Sequence, residues 1–219
     1  PLSDPFGISR GTTETAANVL VRIADDAGNV AVGAATPTAY YGETMADALA
    51  ALPELLVAVE DVNDPHAQQR VERRLRERSP DTPAARAAVS IALADLAATQ
   101  QNEPLYRRWG LDPDAAPPTS YTIGIDTPER MAEKARAARE AGYPILKLKV
   151  GTSAERRDDD RARVRAVREA APDARLRVDA NGAWEPANAI AASRWLADWN
   201  VEFVEQPVPA EDIAGLRAV

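Results

Sequence analysis

The sequence predicts an α/β protein in which an α+β domain is followed by parallel βα units. One observation is a strand–turn–strand pattern and several helical patterns in the first hundred residues. Another is that strand-like and helical segments alternate after a proline-rich stretch at residues 112–118. The strand pattern at Thr119 is followed 24 residues later by one at Tyr143, which leaves room for one helix between parallel strands.

The first domain is assigned to residues 1–111, and its opening ten residues have no regular pattern. The predicted elements are a hairpin of residues 18–23 and 30–33, a helix from about Thr44 that Pro53 interrupts or ends, a helix over Pro65–Arg78, and one over Thr82–Gln100. Because Ala84–Gln100 is almost entirely apolar, we expect this last helix to be buried on most sides.

Residues 112–118 are assigned to a linker and residues 119–219 to the second domain. Its predicted strands are Thr119–Ile125, Tyr143–Val150, Arg175–Asp179 and Val201–Glu205, and its predicted helices are Thr127–Ala141, Ser153–Ala170, Pro186–Trp199 and one from Ala210. The acidic run Asp158-Asp159-Asp160 is predicted to be a solvated helix surface rather than a metal site.

Composition excludes several kinds of site. The chain has no cysteine and one histidine, His66, at a predicted helix start, so thiolate chemistry, Ser-His-Asp catalysis and histidine-rich metal sites are disfavoured. A bound metal would be held by oxygens, which favours a hard cation such as Mg²⁺. A net charge of -8 argues against a nucleic-acid partner. No apolar run is long enough for a membrane span and no signal segment is recognisable, so we expect a cytoplasmic protein.

Lysine is rare in this chain, and two of its three lysines, Lys147 and Lys149, lie two residues apart in an apolar run. Residues i and i+2 of a strand share a face, so both lysines point one way and their apolar neighbours point the other. A partly buried lysine can carry protons, whereas arginine stays charged. The alternative is a strand with one wet face on which the lysines are merely solvated.

Carboxylates end the next two predicted strands, at Asp179 and Glu205. Parallel βα units that close into a barrel gather the carboxyl ends of their strands around one axis, where barrel enzymes have their catalytic residues. Asp179 could instead cap a helix, since Asn181-Gly182 follows it. Glu205 is followed by Gln-Pro and has no obvious capping role. Two carboxylates beside two lysines suit a metal that binds an anion near a proton-transfer base.

The chain resembles the enolase superfamily, in its muconate-lactonizing branch, along essentially its whole length. The motifs that carry the resemblance are Leu146–Gly151, Val178–Trp184, Val204–Pro207, and the helix Ala88–Leu96 that leads to Pro104-Leu105-Tyr106. Within that branch, Ser120-Tyr121-Thr122-Ile123 looks like the dipeptide epimerases. Arg10, in the segment Ile8–Thr12, matches the mobile loop that closes over substrate in those enzymes.

The resemblance implies an enolase-type fold, in which an α+β capping domain precedes a (β/α) barrel. It implies that Lys149 is a general base acting on a carbon alpha to a carboxylate. It also implies that Lys147 helps to keep the pKa of Lys149 low and binds the substrate carboxylate. Asp179 and Glu205 would be Mg²⁺ ligands. Substrate contacts are implied for three further residues, Thr122, Asn181 and Arg10.

The implied function is Mg²⁺-dependent epimerisation of a dipeptide such as L-Ala-D/L-Glu by a two-base 1,1-proton transfer. A muconate-type cycloisomerase, an o-succinylbenzoate synthase and an N-succinylamino acid racemase stay open, since Lys-x-Lys serves them as well. A catalytically silent homologue is a further alternative. We expect a small-molecule carboxylate or dipeptide substrate, a homo-oligomer, and neither nucleic-acid nor membrane partners. We also expect the 219 residues to be part of a longer protein, with about the first half of the barrel present.

Overall fold

The computed structural model describes residues 1–152 and 157–219 and confirms an α+β part and a parallel βα part. Two compact units are present, of which one is Ala17–Ala116 and the other joins Pro1–Ala16 to Pro117–Val219. The domain boundary predicted at residues 112–118 stays a prediction, and in the structure the first sixteen residues group with the later unit.

Eight strands are present in the described residues: β1 (Phe6–Ile8), β2 (Gly11–Thr13), β3 (Val19–Ala24), β4 (Val30–Ala35), β5 (Ser120–Ile123), β6 (Ile145–Lys149), β7 (Arg175–Asp179) and β8 (Val201–Glu205). The α-helices in the same residues are α1 (Met45–Val62), α2 (Gln68–Arg78), α3 (Pro83–Gln100), α4 (Leu105–Arg108), α5 (Pro128–Glu140), α6 (Arg157–Ala170), α7 (Pro186–Asp198) and α8 (Ile213–Ala218). Short 3-10 turns lie at Ala39–Tyr41 and Pro113–Ala115. The predicted helix start at Ser153 falls outside the described residues. None of the described helices has the length and apolar character needed to cross a membrane.

The unit Ala17–Ala116 packs an antiparallel hairpin, β3–β4, against the apolar helix α3. The approach is close at Gly33, where a Cβ atom would lie 1.8 Å from the Ala88 carbonyl oxygen, so only glycine fits. Helix α1 continues through Pro53, contrary to the predicted interruption. Pro53 cannot donate to the Leu49 carbonyl, but both residues lie on the exposed side of the helix, where water can serve that carbonyl.

Helix α3 begins on a buried carboxylate from outside the helix. Glu43 is 2% exposed and accepts hydrogen bonds from the backbone N–H groups of Ala84 at 2.7 Å and Ala85 at 3.1 Å. These are amides of the first turn, which have no partner within the helix, and the negative charge also suits the helix N-terminus. Glu43 therefore takes the place of a side-chain cap from Thr82, which makes none.

The first residues of the chain form a small hairpin, β1–β2, where the sequence showed no regular pattern. Gly7 in β1 accepts a hydrogen bond from the Ile125 backbone N–H at 2.8 Å, and a Cβ atom at Gly7 would lie 2.4 Å from the Ile125 carbonyl oxygen. The three-residue strands are too short to show alternation in the sequence. Their contact with the chain after β5 explains why they group with the later unit.

The later unit is built on a four-stranded parallel sheet in the order β5-β6-β7-β8. Helices α5, α6 and α7 connect successive strands, which confirms the predicted βα units. One face of the sheet is packed with apolar side chains that are almost completely buried, among them Ile123, Leu146, Leu148, Leu176 and Val178. The opposite face carries the polar side chains of the candidate site.

Candidate active site

The candidate site lies where strands β6, β7 and β8 end. The strand register places Lys149 beside Asp179 and Asp179 beside Glu205, so their side chains share one face of the parallel sheet. Lys147 shares that face two residues earlier and lies beside Thr122 of β5. The register thus brings five of the predicted site residues to one region of the sheet.

Strand β6 alternates as its sequence predicts. Leu146, Leu148 and Val150 are completely buried at 0% exposure, whereas the side chains of Lys147 and Lys149 are 20% and 12% exposed. The lysines are therefore partly desolvated rather than fully wet. This burial goes against the alternative in which both are merely solvated surface lysines.

Both lysines contact the same carboxylate oxygen. Lys149 Nζ lies 2.6 Å from Asp179 Oδ2, and Lys147 Nζ lies 3.1 Å from that atom. Lys147 Nζ also lies 2.6 Å from Glu205 Oε2. The Asp179 side chain is 2% exposed and that of Glu205 is 41% exposed, so the cluster reaches from the protein interior to solvent.

Contacts within this cluster favour the ionised forms of Asp179 and Lys147. Burial alone would raise the pKa of Asp179, but hydrogen bonds from Lys149, the Asn181 backbone N–H and Lys147 keep it below its usual range. Burial alone would lower the pKa of Lys147, but its hydrogen bonds to Glu205 and Asp179 raise it above the ordinary value. Lys147 Nζ thus lies between two carboxylates, whose contacts favour its charged form.

The loop after β7 turns back onto Asp179. Asn181 has a left-handed φ of 52°, and its backbone N–H donates to Asp179 Oδ1 at 2.9 Å. Asp179 therefore stabilises a local turn rather than the start of α7, which begins later, at Pro186. The Asn181 carbonyl accepts a hydrogen bond from Arg10 Nη1 at 2.8 Å. The structure thus brings Arg10, which lies between β1 and β2, to the rim of the site.

The donor set suits a hard divalent cation in its chemistry. Asp179 and Glu205 offer carboxylate oxygens on adjacent strand ends, which is the ligand type that Mg²⁺ prefers. Asn181 Oδ1 is buried beside them and has no hydrogen-bond partner among the described residues. Within residues 1–152 and 157–219, no group of three or more His, Cys, Asp or Glu side chains could hold a metal. Asp179 and Glu205 therefore fit Mg²⁺ as two carboxylate ligands on adjacent strand ends.

The acidic run on α6 was predicted to be solvated, and this is wrong for Asp160. Its carboxylate is buried and accepts hydrogen bonds from the backbone N–H groups of Gly151 at 3.0 Å and Thr152 at 3.1 Å. The side chain of Asp158 lies outside the described residues. Sequence reasoning missed Asp160 because its donors belong to a loop whose position follows only from the fold.

Gly151, two residues after the end of β6, has a backbone conformation that residues other than glycine rarely adopt. Its φ is +98°, and a Cβ atom would lie 2.8 Å from both the Ala180 carbonyl oxygen and the Ala183 Cβ. The loops after β6 and β7 are therefore in direct contact at this glycine.

We expect Gly151→Ala to lower the free energy of unfolding by about 1–3 kcal/mol, since the left-handed backbone and the steric contact both oppose a side chain. Gly142→Ala is the matched control, because Gly142 has a similar φ of +90° but nothing within 4 Å of its Cβ position. Urea unfolding of both variants measures the difference. Equal costs at the two positions would contradict the close packing at Gly151.

Comparison with known proteins agrees with the geometry. Residues 1–110 match the N-terminal domain of the mandelate racemase / muconate lactonizing enzyme family, and residues 130–219 match the enolase C-terminal domain-like family. A hydrophobic dipeptide epimerase of Enterococcus faecalis is 39% identical over 100% of this chain and 61% of its own length. An N-succinyl-L-Arg/Lys racemase of Bacillus cereus is 31% identical over 100% of this chain and 59% of its own length.

Among solved structures, a dipeptide epimerase from Enterococcus faecalis V583, complexed with Mg and the dipeptide L-Leu-L-Tyr, superposes with a TM-score of 0.88. It is 38% identical in sequence, and the match covers 100% of this chain and 61% of that one. The chain thus spans about three fifths of the length of the relatives it matches.

Proposed function

The chain belongs to the mandelate racemase and muconate lactonizing enzyme family of the enolase superfamily, and from this premise we propose that the full-length protein is a Mg²⁺-dependent epimerase. Its substrate would be a dipeptide such as L-Ala-D/L-Glu, and the reaction would begin with removal of the proton alpha to the free carboxylate. The observation that carries the proposal is the contact of Lys149 with Asp179, at 2.6 Å, beside Glu205 at neighbouring strand ends.

In this proposal Lys149 is the base for one face of the substrate α-carbon. Its side chain is only 12% exposed, so little solvent competes for the amine once a ligand covers it. Asp179 orients the amine through the hydrogen bond to Oδ2. In a two-base 1,1-proton transfer a second base serves the opposite face, and we assign that role to no residue of this chain.

The α-proton of a carboxylate is too weakly acidic to be removed at neutral pH unless the resulting negative charge is stabilised. Asp179 and Glu205 would hold Mg²⁺, which when bound supplies this stabilisation at the substrate carboxylate. Lys147, whose pKa is raised by its hydrogen bonds to Glu205 and Asp179, would stay charged and bind the same carboxylate.

Three further residues would contact the substrate or support those that do. Thr122 lies beside Lys147 in the sheet register and faces the same side. Asn181 and Arg10, joined by the hydrogen bond between them, would border the substrate at the rim. A homo-oligomeric state and a cytoplasmic location stay predictions from the sequence.

The test is solvent-deuterium exchange by the full-length protein with Mg²⁺ and a panel of dipeptides that includes L-Ala-L-Glu and L-Leu-L-Tyr. We expect deuterium at the α-carbon of the C-terminal residue, because only that carbon adjoins the free carboxylate, followed by appearance of the epimer in the NMR spectrum. Dipeptide amides are the matched control substrates and should not exchange, since they lack the carboxylate.

One relative supports a second candidate, since it is an N-succinyl-L-Arg/Lys racemase that is 31% identical to the chain. N-succinyl amino acids also carry a carboxylate beside the reacting carbon, so the same residues could serve them. Racemisation of N-succinyl amino acids with no exchange of any dipeptide would reject dipeptide epimerisation in favour of this activity. Absence of exchange with every substrate would favour a catalytically silent homologue.

A further inference from the structure

A buried carboxylate holds the loop that follows the proposed base. Asp160 on α6 is buried, with 2% of the whole residue exposed. Its Oδ2 accepts hydrogen bonds from the backbone N–H groups of Gly151 at 3.0 Å and Thr152 at 3.1 Å. These two residues follow β6 and Val150, so the carboxylate is hydrogen-bonded to the backbone two and three residues after Lys149. No hydrogen bond or ion pair described for Asp160 reaches Lys149 or Lys147.

The charge of Asp160 is compensated within the same buried group. Arg163 Nη1 lies 3.1 Å from Asp160 Oδ1, and the two side chains are 6% and 3% exposed. Arg163 Nε donates to the Asp126 carbonyl at 2.7 Å, in the loop after β5. Asp160 and Arg163 thus connect the loops that follow two adjacent strands. Breaking a buried pair of this kind leaves an uncompensated charge, so its geometry is strongly fixed.

The same loop is confined on its other side. A Cβ atom at Gly151 would lie 2.8 Å from the Ala180 carbonyl oxygen and 3.2 Å from the Ser9 Cβ, so little space is left there. The Val150 backbone N–H donates to the Asp179 carbonyl at 3.0 Å. These contacts and the two hydrogen bonds to Asp160 confine the backbone from Val150 to Thr152 on both sides. Only Val150 separates Gly151 from Lys149, and consecutive Cα atoms are joined at about 3.8 Å. A displacement of the backbone at Gly151 would therefore also move the backbone that carries Lys149.

We propose that Asp160 is a positioning residue for the reaction: its carboxylate fixes the loop Val150–Thr152 and thereby holds the Lys149 amine at the substrate α-carbon. This inference rests on the proposed function, in which Lys149 is the base on one face. A displacement of about 1 Å at a reacting group can lower the rate about 10²-fold. The effect of losing Asp160 should therefore fall on the proton transfer that Lys149 performs and spare the transfer on the opposite face.

The test compares Asp160→Asn with the wild-type full-length protein. Asparagine keeps the shape but replaces one acceptor oxygen by an NH₂ group, so it cannot accept both backbone hydrogen bonds and also pair with Arg163. Glu169→Gln is the matched control, since Glu169 lies on the same helix and its side chain is 67% exposed. Circular dichroism and thermal melting establish that each variant folds. If Asp160→Asn does not fold, Asp160→Ser, which keeps one acceptor, is tested in the same way.

Two readouts are expected to change in Asp160→Asn and not in Glu169→Gln. Hydrogen-exchange mass spectrometry should show faster exchange in the peptide that contains Gly151 and Thr152. In D₂O with Mg²⁺, α-proton exchange should slow about 10–100-fold for the epimer whose exchange Lys149→Ala abolishes, and less than about 3-fold for the other epimer. The KM value should change little, because the substrate-binding groups are not altered.

A uniform slowing of both epimers would show a general loss of stability and overturn the positioning role. Unchanged exchange at Gly151 and Thr152, or activity equal to that of Glu169→Gln, would overturn it as well. If the wild-type protein exchanges no dipeptide α-proton, the proposed function fails and this inference fails with it. That outcome is distinct from a functioning wild type in which Asp160→Asn affects both faces alike.

Discussion

Lys149→Ala in the full-length protein is expected to abolish epimerisation of its substrate. A positioned general base contributes about 10²–10⁴-fold to a rate, and a two-base transfer cannot proceed between epimers when one base is absent. We therefore expect kcat/KM for epimerisation to fall by at least about 10³-fold, measured by NMR of the epimer formed. The fold should be retained, since the apolar face of β6 is formed by Leu146, Leu148 and Val150 and not by the lysines.

Lys149→Arg separates the role of a base from that of a cation. Arginine keeps a positive charge next to Asp179 but cannot release its proton near neutral pH. If Lys149 acts as the base, Lys149→Arg should be as inactive as Lys149→Ala. If arginine restores most of the activity, the side chain serves electrostatically and the assignment of the base is wrong.

Asp179→Asn is expected to remove most Mg²⁺ binding and with it the turnover. The substitution takes away a charged oxygen ligand and also the oxygen that both lysines contact, at 2.6 Å and 3.1 Å. We expect Mg²⁺ affinity to fall at least about tenfold, which corresponds to about 1.4 kcal/mol, as measured by isothermal titration calorimetry. Asp173→Asn is the matched control, since Asp173 is exposed and precedes β7, at the opposite end of the strand from Asp179.

Because Asp179 also pairs with the lysines, a second variant separates metal binding from lysine placement. Glu205 contacts Lys147 at 2.6 Å, and no contact between it and Lys149 is described. Glu205→Gln should therefore weaken Mg²⁺ binding and keep the Lys149–Asp179 pair. Wild-type Mg²⁺ affinity in both Asp179→Asn and Glu205→Gln would show that the metal, if one is used, is bound elsewhere.

Much of the site could be predicted because its signals are local. Alternation in β6 follows from consecutive residues, and the rarity of lysine made Lys147 and Lys149 conspicuous. The predicted strands Arg175–Asp179 and Val201–Glu205 coincide with β7 and β8, so the sequence alone predicts that both carboxylates lie at strand ends. Parallel order then brings those ends together, as the register confirms.

Other features depend on tertiary contacts that no local pattern shows. The hairpin β1–β2 has three residues in each strand and is fixed by the approach of Gly7 to Ile125. Helix α1 runs through Pro53, because packing of its buried face outweighs one missing hydrogen bond. The prediction of a solvated acidic surface is wrong at Asp160 because its partners, Gly151 and Thr152, approach it only in the folded protein.

Two partly buried amines and two carboxylates meet where strands β6, β7 and β8 end. In the mechanism proposed above, Lys149 removes a proton from one face of a carbon alpha to a carboxylate. If Lys149 were a solvated surface lysine, or acted only through its positive charge, its removal would not stop proton exchange selectively on one face of that carbon.

The most direct test follows α-proton exchange for each epimer of the substrate separately, by NMR in D₂O with Mg²⁺, using wild type and Lys149→Ala. Wild type should exchange both epimers. The variant should lose exchange for one epimer and retain it for the other, through the base on the opposite face. Exchange of both epimers by Lys149→Ala at wild-type rates would contradict the account.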